Sequence, residues 1–223
     1  MKQSPSTNGN KPILSAVQDL LSRDFDQFAT ILADPPWQFT NRTGKMAPEH
    51  KRLLRYSTMT LKEIMELPIA QLTRPKCHLY LWVPNALVLE GLEVMKSWGF
   101  TYKTNLVWYK VRKDGGPDRR GVGFYFRNVT ELVLFGTRGK NNRTLSPGRR
   151  QENIIVTRKR EHSRKPDKLY DIIESCSPGP YLELFARHYR LGWTQWGNEI
   201  YTNGSGQTPQ LPFVGEKPAY STI

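Results

Sequence analysis

The chain has 223 residues, 38% of them hydrophobic, enough for one domain with a substantial core. Lys and Arg number 33 against 20 Asp and Glu, and the net charge of +13 points to a polyanionic partner, most often nucleic acid and less often an anionic membrane. No apolar run is long enough to cross a membrane, Met1 to Pro5 lacks the core of a signal peptide, and Cys77 and Cys176 read as reduced core thiols of a cytoplasmic protein that, with four scattered histidines, give no metal-ligand spacing.

Residues 1–12 are polar and read as a flexible segment, and Ile13 to Ser22 as a short helix with Leu14, Val17 and Leu21 on one face. Phe28 to Leu32 is an apolar run of strand length, followed by Ala33-Asp34-Pro35-Pro36-Trp37. From Gln38 to Tyr56 the sequence is a long basic loop, and loops of that length carry function or lack structure. Thr60-Leu61-Lys62-Glu63 is a capping box for a helix to about Leu67. Cys77 to Val83 reads as a strand, then Pro84-Asn85 opens a helix through Trp98 with Leu89, Leu92 and Met95 inward, stopped by Gly99. Strands follow at Thr104 to Tyr109, Glu131 to Phe135 and Asn153 to Val156, separated by basic Gly-rich loops over 112–128 and 136–150. Pro166 takes the first position of a helix with Leu169, Ile172 and Ile173 on its core face, ending near Cys176. Tyr181 to Phe185 and Trp193 to Trp196 are the last strands, and residues 203–223 form an aperiodic tail. Alternating strands and helices predict an α/β sheet with helices on both faces over 13–202. No G-x-G-x-x-G fingerprint is present, so neither nicotinamide nor flavin is indicated.

Three strand or helix ends carry the chemistry. At the first, Asp34 to Trp37, two prolines fix their φ angles and lack N–H groups, so the segment is stiff and its carbonyls lack neighbouring donors. A carboxylate, a proline carbonyl and an aromatic suit a flat base with an exocyclic amino group: Asp34 and the carbonyl accept its two hydrogens and Trp37 stacks on the ring. Alone, Asp-Pro-Pro is also an ordinary turn, and a Trp beside it is also core. The second, Lys165-Pro166 at a helix start, is a carboxylate site; the other reading puts Lys165 in the solvated run Arg158 to Lys165. The third holds Arg187, Asn198 and Glu199; an Asn or Glu just past a strand end can hold ribose hydroxyls, and Arg187 could simply pair with Glu183. Together they describe a site for S-adenosylmethionine.

In this order the motifs resemble the MT-A70 family of adenine-N6 methyltransferases over about residues 28–200. The resemblance rests on Asp34 to Trp37, Tyr56 to Met59, Leu79 to Val83, Trp98-Gly99-Phe100, Val107 to Lys110, Glu131 to Gly136, Ser163 to Asp167, Ser177-Pro178-Gly179, Glu183 to Arg187 and Trp196 to Glu199. It implies a Rossmann-like S-adenosylmethionine-dependent fold of permuted order, with the catalytic motif before the cofactor-binding strand. By the same likeness Asp34, Pro35, Pro36 and Trp37 form the catalytic motif, Tyr56 lies over the base and Glu131 lies close by. Lys165 meets the methionine carboxylate, with Arg187, Asn198 and Glu199 on the adenosine half. Phe185-Ala186-Arg187 departs from the family's glycine-rich loop, so contacts assigned by glycine spacing do not carry over.

The substrate expected is adenine in DNA. The family's RNA-modifying members use cysteine-rich zinc fingers or a partner subunit, and two cysteines cannot build such a finger. The alternatives are the same chemistry on RNA, or a silent nucleic-acid-binding subunit; silent relatives lose the motif Asp, which is intact here. Phosphates fall to Arg42, Lys45, Lys51, Arg52 and Arg55, with Arg119, Arg120, Arg149 and Arg150 as second candidates. A homodimer is compatible with the sequence, and no metal is expected.

Overall fold

The computed structural model describes residues 20–22, 27–39, 58–118, 125–158 and 164–197. Segments 1–12 and 203–223 lie outside them, as does all of the expected first helix except helical Leu20 to Ser22.

The fold is built outward from β1, Phe28–Ala33, buried along its whole length. It pairs in parallel with β2 (Thr73–Val83) on one side and β6 (Tyr181–Leu184) on the other, which is why its sequence is almost continuously apolar. With β3 (Thr101–Val111), β4 (Thr130–Arg138), β5 (Ile154–Arg158) and β7 (Trp193–Trp196) it forms one seven-stranded sheet in the order β5-β3-β4-β2-β1-β6-β7. β4 is antiparallel to both its neighbours, and every other pairing is parallel. The first residues of β4 therefore share a sheet edge with the last residues of β1, β2 and β3.

Alternate side chains feed two cores. Ile31, Ala33, Leu79, Leu81, Val83 and Leu134 meet Ile64 of α1 (Leu61–Met65) and Val94 and Met95 of α2 (Val88–Ser97) on one face. Leu32, Tyr80, Trp82, Trp108, Val133 and Phe135 meet Leu169, Ile172, Ile173 and Cys176 of α3 (Lys168–Cys176) on the other. The expected three-layer arrangement is present. Both cysteines are free and buried.

Several boundaries differ from expectation. The capping box of α1 forms, Glu63 Oε2 accepting from the Thr60 N–H at 2.6 Å, but the helix stops at Met65. β2 begins four residues early: Pro75 falls in the register break between the Phe28 and Thr30 pairings and beyond the end of the β4 ladder, so its missing N–H breaks no rung. In α2, Leu89 is 74% exposed rather than inward. Gly91 takes the inward place, where an added Cβ would lie 2.6 Å from Val83 Cγ2. β4 continues through Gly136-Thr137-Arg138, a stretch expected to be loop, because Gly136 lets Met95 press onto the strand, 2.6 Å from where a Cβ would stand. Pro166 lies just ahead of the cap residue Asp167 rather than inside α3.

Candidate active site

Asp34 is the first residue past β1, and its N–H reaches Leu184 O at 3.4 Å, one rung beyond the β1–β6 ladder. The two proline carbonyls are not free of donors as the sequence suggested. The Trp37 N–H donates to Pro35 O (2.8 Å) and the Met59 N–H to Pro36 O (2.9 Å). Each carbonyl keeps a second lone pair. Trp37 also differs from expectation: it is 6% exposed and its indole N–H donates to Trp82 O at 2.9 Å. It braces the Asp34 turn against β2 from within the core and offers no open stacking face.

Lys165 is drawn out of the solvated run into this edge of the sheet. Its Nζ lies 3.3 Å from Asp34 Oδ1 and 2.8 Å from Glu131 Oε2, and 4.4 Å from the centre of the Trp82 ring. Glu131 Oε1 binds Lys110 Nζ. Three elements thus converge: the end of β1 supplies Asp34, the start of antiparallel β4 supplies Glu131 and the end of β3 supplies Lys110. Burial pushes the Glu131 carboxyl up, but Lys165 and Lys110 outweigh it and hold it at about 2. Burial likewise disfavours the Lys165 cation, yet Asp34 and Glu131 raise its pKa above the usual lysine value.

A cavity of about 290 Å³ opens beside the cluster, lined among others by Asp34, Lys165, Tyr170, Glu183, Phe185 and Arg187. It lies at the carboxyl ends of β1 and β6, where open α/β sheets bind ligands. Glu183 Oε1 accepts from the Tyr170 hydroxyl at 2.8 Å, so its hydrogen bond comes from Tyr170 and not from Arg187; its Oε2 is buried without a hydrogen-bond partner among the described residues. Burial pushes the Glu183 carboxyl up to about 7, with Asp34 adding to the shift and Tyr170 and Arg190 opposing it. After β6 the backbone turns sharply at Phe185, φ 63°, a left-handed conformation costly for an aromatic residue. Phe185 thus makes the turn that a glycine makes in a glycine-rich loop. Its ring packs edge-on against Trp196, with centroids 5.4 Å apart. Behind this turn, a Cβ at Gly197 would stand 2.2 Å from Ala186 O, so only glycine lets the ends of β6 and β7 touch.

Of the residues singled out from the sequence, Asp34, Lys165 and Arg187 line this cavity, and Glu131 joins them through Lys165. Tyr56, Arg42, Lys45, Lys51, Arg52, Arg55, Arg119, Arg120, Asn198 and Glu199 lie outside the described residues. Arg149 and Arg150 do not belong to this edge. Their turn, Pro147–Arg150, packs through Gly148 against Cys176, the far end of α3, about 12 Å of helix away from Lys168. Lys110, Tyr170 and Glu183 were not assigned to the site from the sequence. The available signal for Lys110 was its parity, since Leu106, Trp108 and Lys110 share the buried face of β3.

The MT-A70 family model matches residues 28–199. This chain belongs to the MT-A70 family. Its relatives include the type II methyltransferase M.MunI of Mycoplasma sp, 32% identical over 206 residues, covering 85% of this chain and 83% of that protein. The N(6)-adenine-specific methyltransferase METTL4 of Homo sapiens is 31% identical over 201 residues, 84% of this chain and 40% of that protein. The N(6)-adenosine-methyltransferase catalytic subunit METTL3 of Homo sapiens is 31% identical over 178 residues, 78% of this chain and 28% of that protein. The chain thus spans most of M.MunI but less than half of the other two. As an MT-A70 member it has a Rossmann-like fold, and its methyl donor is S-adenosylmethionine. The cavity suits that molecule's chemistry: the Lys165 ammonium for its carboxylate, carboxyl groups for its ammonium and ribose hydroxyls, and one of these oxygens, Glu183 Oε2, without a hydrogen-bond partner among the described residues.

Proposed function

We propose that this chain methylates the N6 amino group of adenine in DNA, with residues 13–202 as the methyltransferase domain. The observation that carries the reading is the Asp34–Lys165–Glu131 cluster beside the cavity at the carboxyl end of β1. The amino nitrogen of adenine is a poor nucleophile because its lone pair is delocalised into the ring. Asp34 and the second lone pair of Pro35 O accept its two hydrogens, which pyramidalises the nitrogen and restores lone-pair density. Asp34 also stabilises the positive charge that develops on N6, an interaction strengthened where water is excluded. When bound, S-adenosylmethionine would supply the methyl group, its S–methyl bond breaking as the N6–methyl bond forms, with a neutral thioether as leaving group and one N6 proton passing to water. Lys165 has three donors, two of them turned to Asp34 and Glu131, which leaves one for the methionine carboxylate. Trp37 and Pro36 keep the turn rigid, so positioning supplies much of the rate. Tyr56 is assigned to the base, and Arg187, Asn198 and Glu199 to the adenosine half of the donor.

DNA is preferred because M.MunI, matched over most of its length, is named a type II methyltransferase, whereas the METTL3 relative is matched over 28%. RNA is the second reading, favoured by that relative's name. The target base is flipped out or already unpaired, since N6 inside a duplex is engaged in pairing. Arg42, Lys45, Arg52 and Arg55 are assigned to phosphates, and the site works without a metal. A cytoplasmic protein, alone or as a homodimer, fits this role; no described helix is long and apolar enough to cross a membrane. The test is labelled methyl donor with DNA and RNA pools, each digested to nucleosides. Label in N6-methyldeoxyadenosine is the expected result, and label confined to the ribonucleoside overturns the DNA assignment.

A further inference from the structure

Lys110 sits in β3 with 8% of its surface exposed, on the buried face it shares with Leu106 and Trp108. A lysine there is costly to desolvate, and a buried ion pair often stabilises a fold no more than apolar side chains of the same size. Its stability contribution therefore gives no account of its place. Its geometry does. Lys110 Nζ binds Glu131 Oε1 and lies 5.0 Å from the Trp108 ring centre, while Glu131 Oε2 binds Lys165 at 2.8 Å and Lys165 reaches on to Asp34 at 3.3 Å. Each Glu131 oxygen is thus committed to a different lysine. Two carboxylates and two ammonium groups form a neutral row from β3 to the motif at the end of β1.

Without Lys110 the row carries one negative charge in excess, and both Glu131 oxygens compete with Asp34 for Lys165. Lys165 is already nearer Glu131 than Asp34, so the competition draws it further off the motif. We propose that Lys110 is a positioning residue for methyl transfer, which fixes Glu131 so that Lys165 stays shared with Asp34. This rests on the reading of Asp34 as the group that holds the target amine. Lys110 has no part in touching the substrate or the donor; it acts through Glu131.

The test is steady-state kinetics of Lys110→Met, Glu131→Gln and the double variant, with thermal melts to establish folding. Lys110→Met, close in shape and without charge, is expected to lower kcat at least about tenfold, a larger change than in KM for the methyl donor, because Lys165 is displaced from Asp34 but not removed from the donor's carboxylate. Because Lys110 acts through Glu131, the double variant is expected to be no slower than Glu131→Gln alone. Lys110→Gln keeps an N–H donor for Glu131 and is expected to fall between wild type and Lys110→Met; it carries the same comparison if the methionine variant does not fold. Wild-type kcat in folded Lys110→Met, or losses that multiply in the double variant, overturn the role of Lys110 alone. Absent turnover in the wild-type protein overturns the reading of the site as well, so the two failures are distinct.

Discussion

Lys165 has three donors and two carboxylates to share among them, and that division decides what it can offer a ligand. Lys165→Ala removes a charge-assisted contact to the donor carboxylate and is expected to weaken donor binding by about 1.5–3 kcal/mol. Calorimetry is the measurement, and unchanged affinity would return Lys165 to a purely internal role between Asp34 and Glu131. Glu183 titrates in the opposite sense from Glu131. Burial first of all, and Asp34 after it, raise its carboxyl to about 7, above the ordinary glutamate value, so its neutral form favours the fold. That contribution is complete below the unfolded pKa, near 4.3 in model peptides, and is lost as pH rises through about 7. Glu183→Gln is therefore expected to gain thermal stability relative to wild type between pH 5 and pH 8. A difference in melting temperature that stays flat over that interval contradicts the assignment.

At the scale of elements, the site depends on how closely β6 and β7 approach at their ends. Gly197→Ala sets a Cβ 2.2 Å from a backbone oxygen and 2.5 Å from a backbone nitrogen of Ala186, neither of which is a flexible side-chain tip. The strands must separate, at a cost of about 1–3 kcal/mol, and the Phe185 turn that lines the cavity moves with them. A lower melting temperature together with weaker donor binding is expected; an unchanged melting temperature and affinity contradict the dependence of the site on this close approach. The elements themselves were largely legible. β1 was clear because a buried strand reads as a short apolar run between turn residues, and α1 because its capping box is local. The misreadings were of residues whose meaning comes from a distant partner. Gly136 looked like a loop residue until Met95 was packed on it, and Leu89 looked inward until Gly91 proved to face Val83.

Across the whole molecule the site was half legible. Asp34, Lys165 and Arg187 stood out because each follows a strand or precedes a helix, and such ends gather at one sheet edge. Lys110 did not stand out, because its partner Glu131 comes from an antiparallel neighbour and the antiparallel order of β4 was not visible in the sequence. Trp37 was misjudged because an aromatic beside a motif looks alike whether it stacks on a ligand or braces a turn. The net charge of +13 is also a property of the whole, and each phosphate neutralised on duplex DNA should add about 0.9 to the salt slope. The most direct test is methyl transfer by wild type and Asp34→Ala to three substrates: a DNA duplex, the same duplex with one unpaired adenine, and single-stranded RNA. Wild type is expected to methylate N6 of the unpaired adenine fastest, since its flipping cost is already met, and RNA least; Asp34→Ala is expected to be slower by at least about a hundredfold. Wild-type rates in Asp34→Ala, or no N6-methyladenine from any of the three, contradict the account.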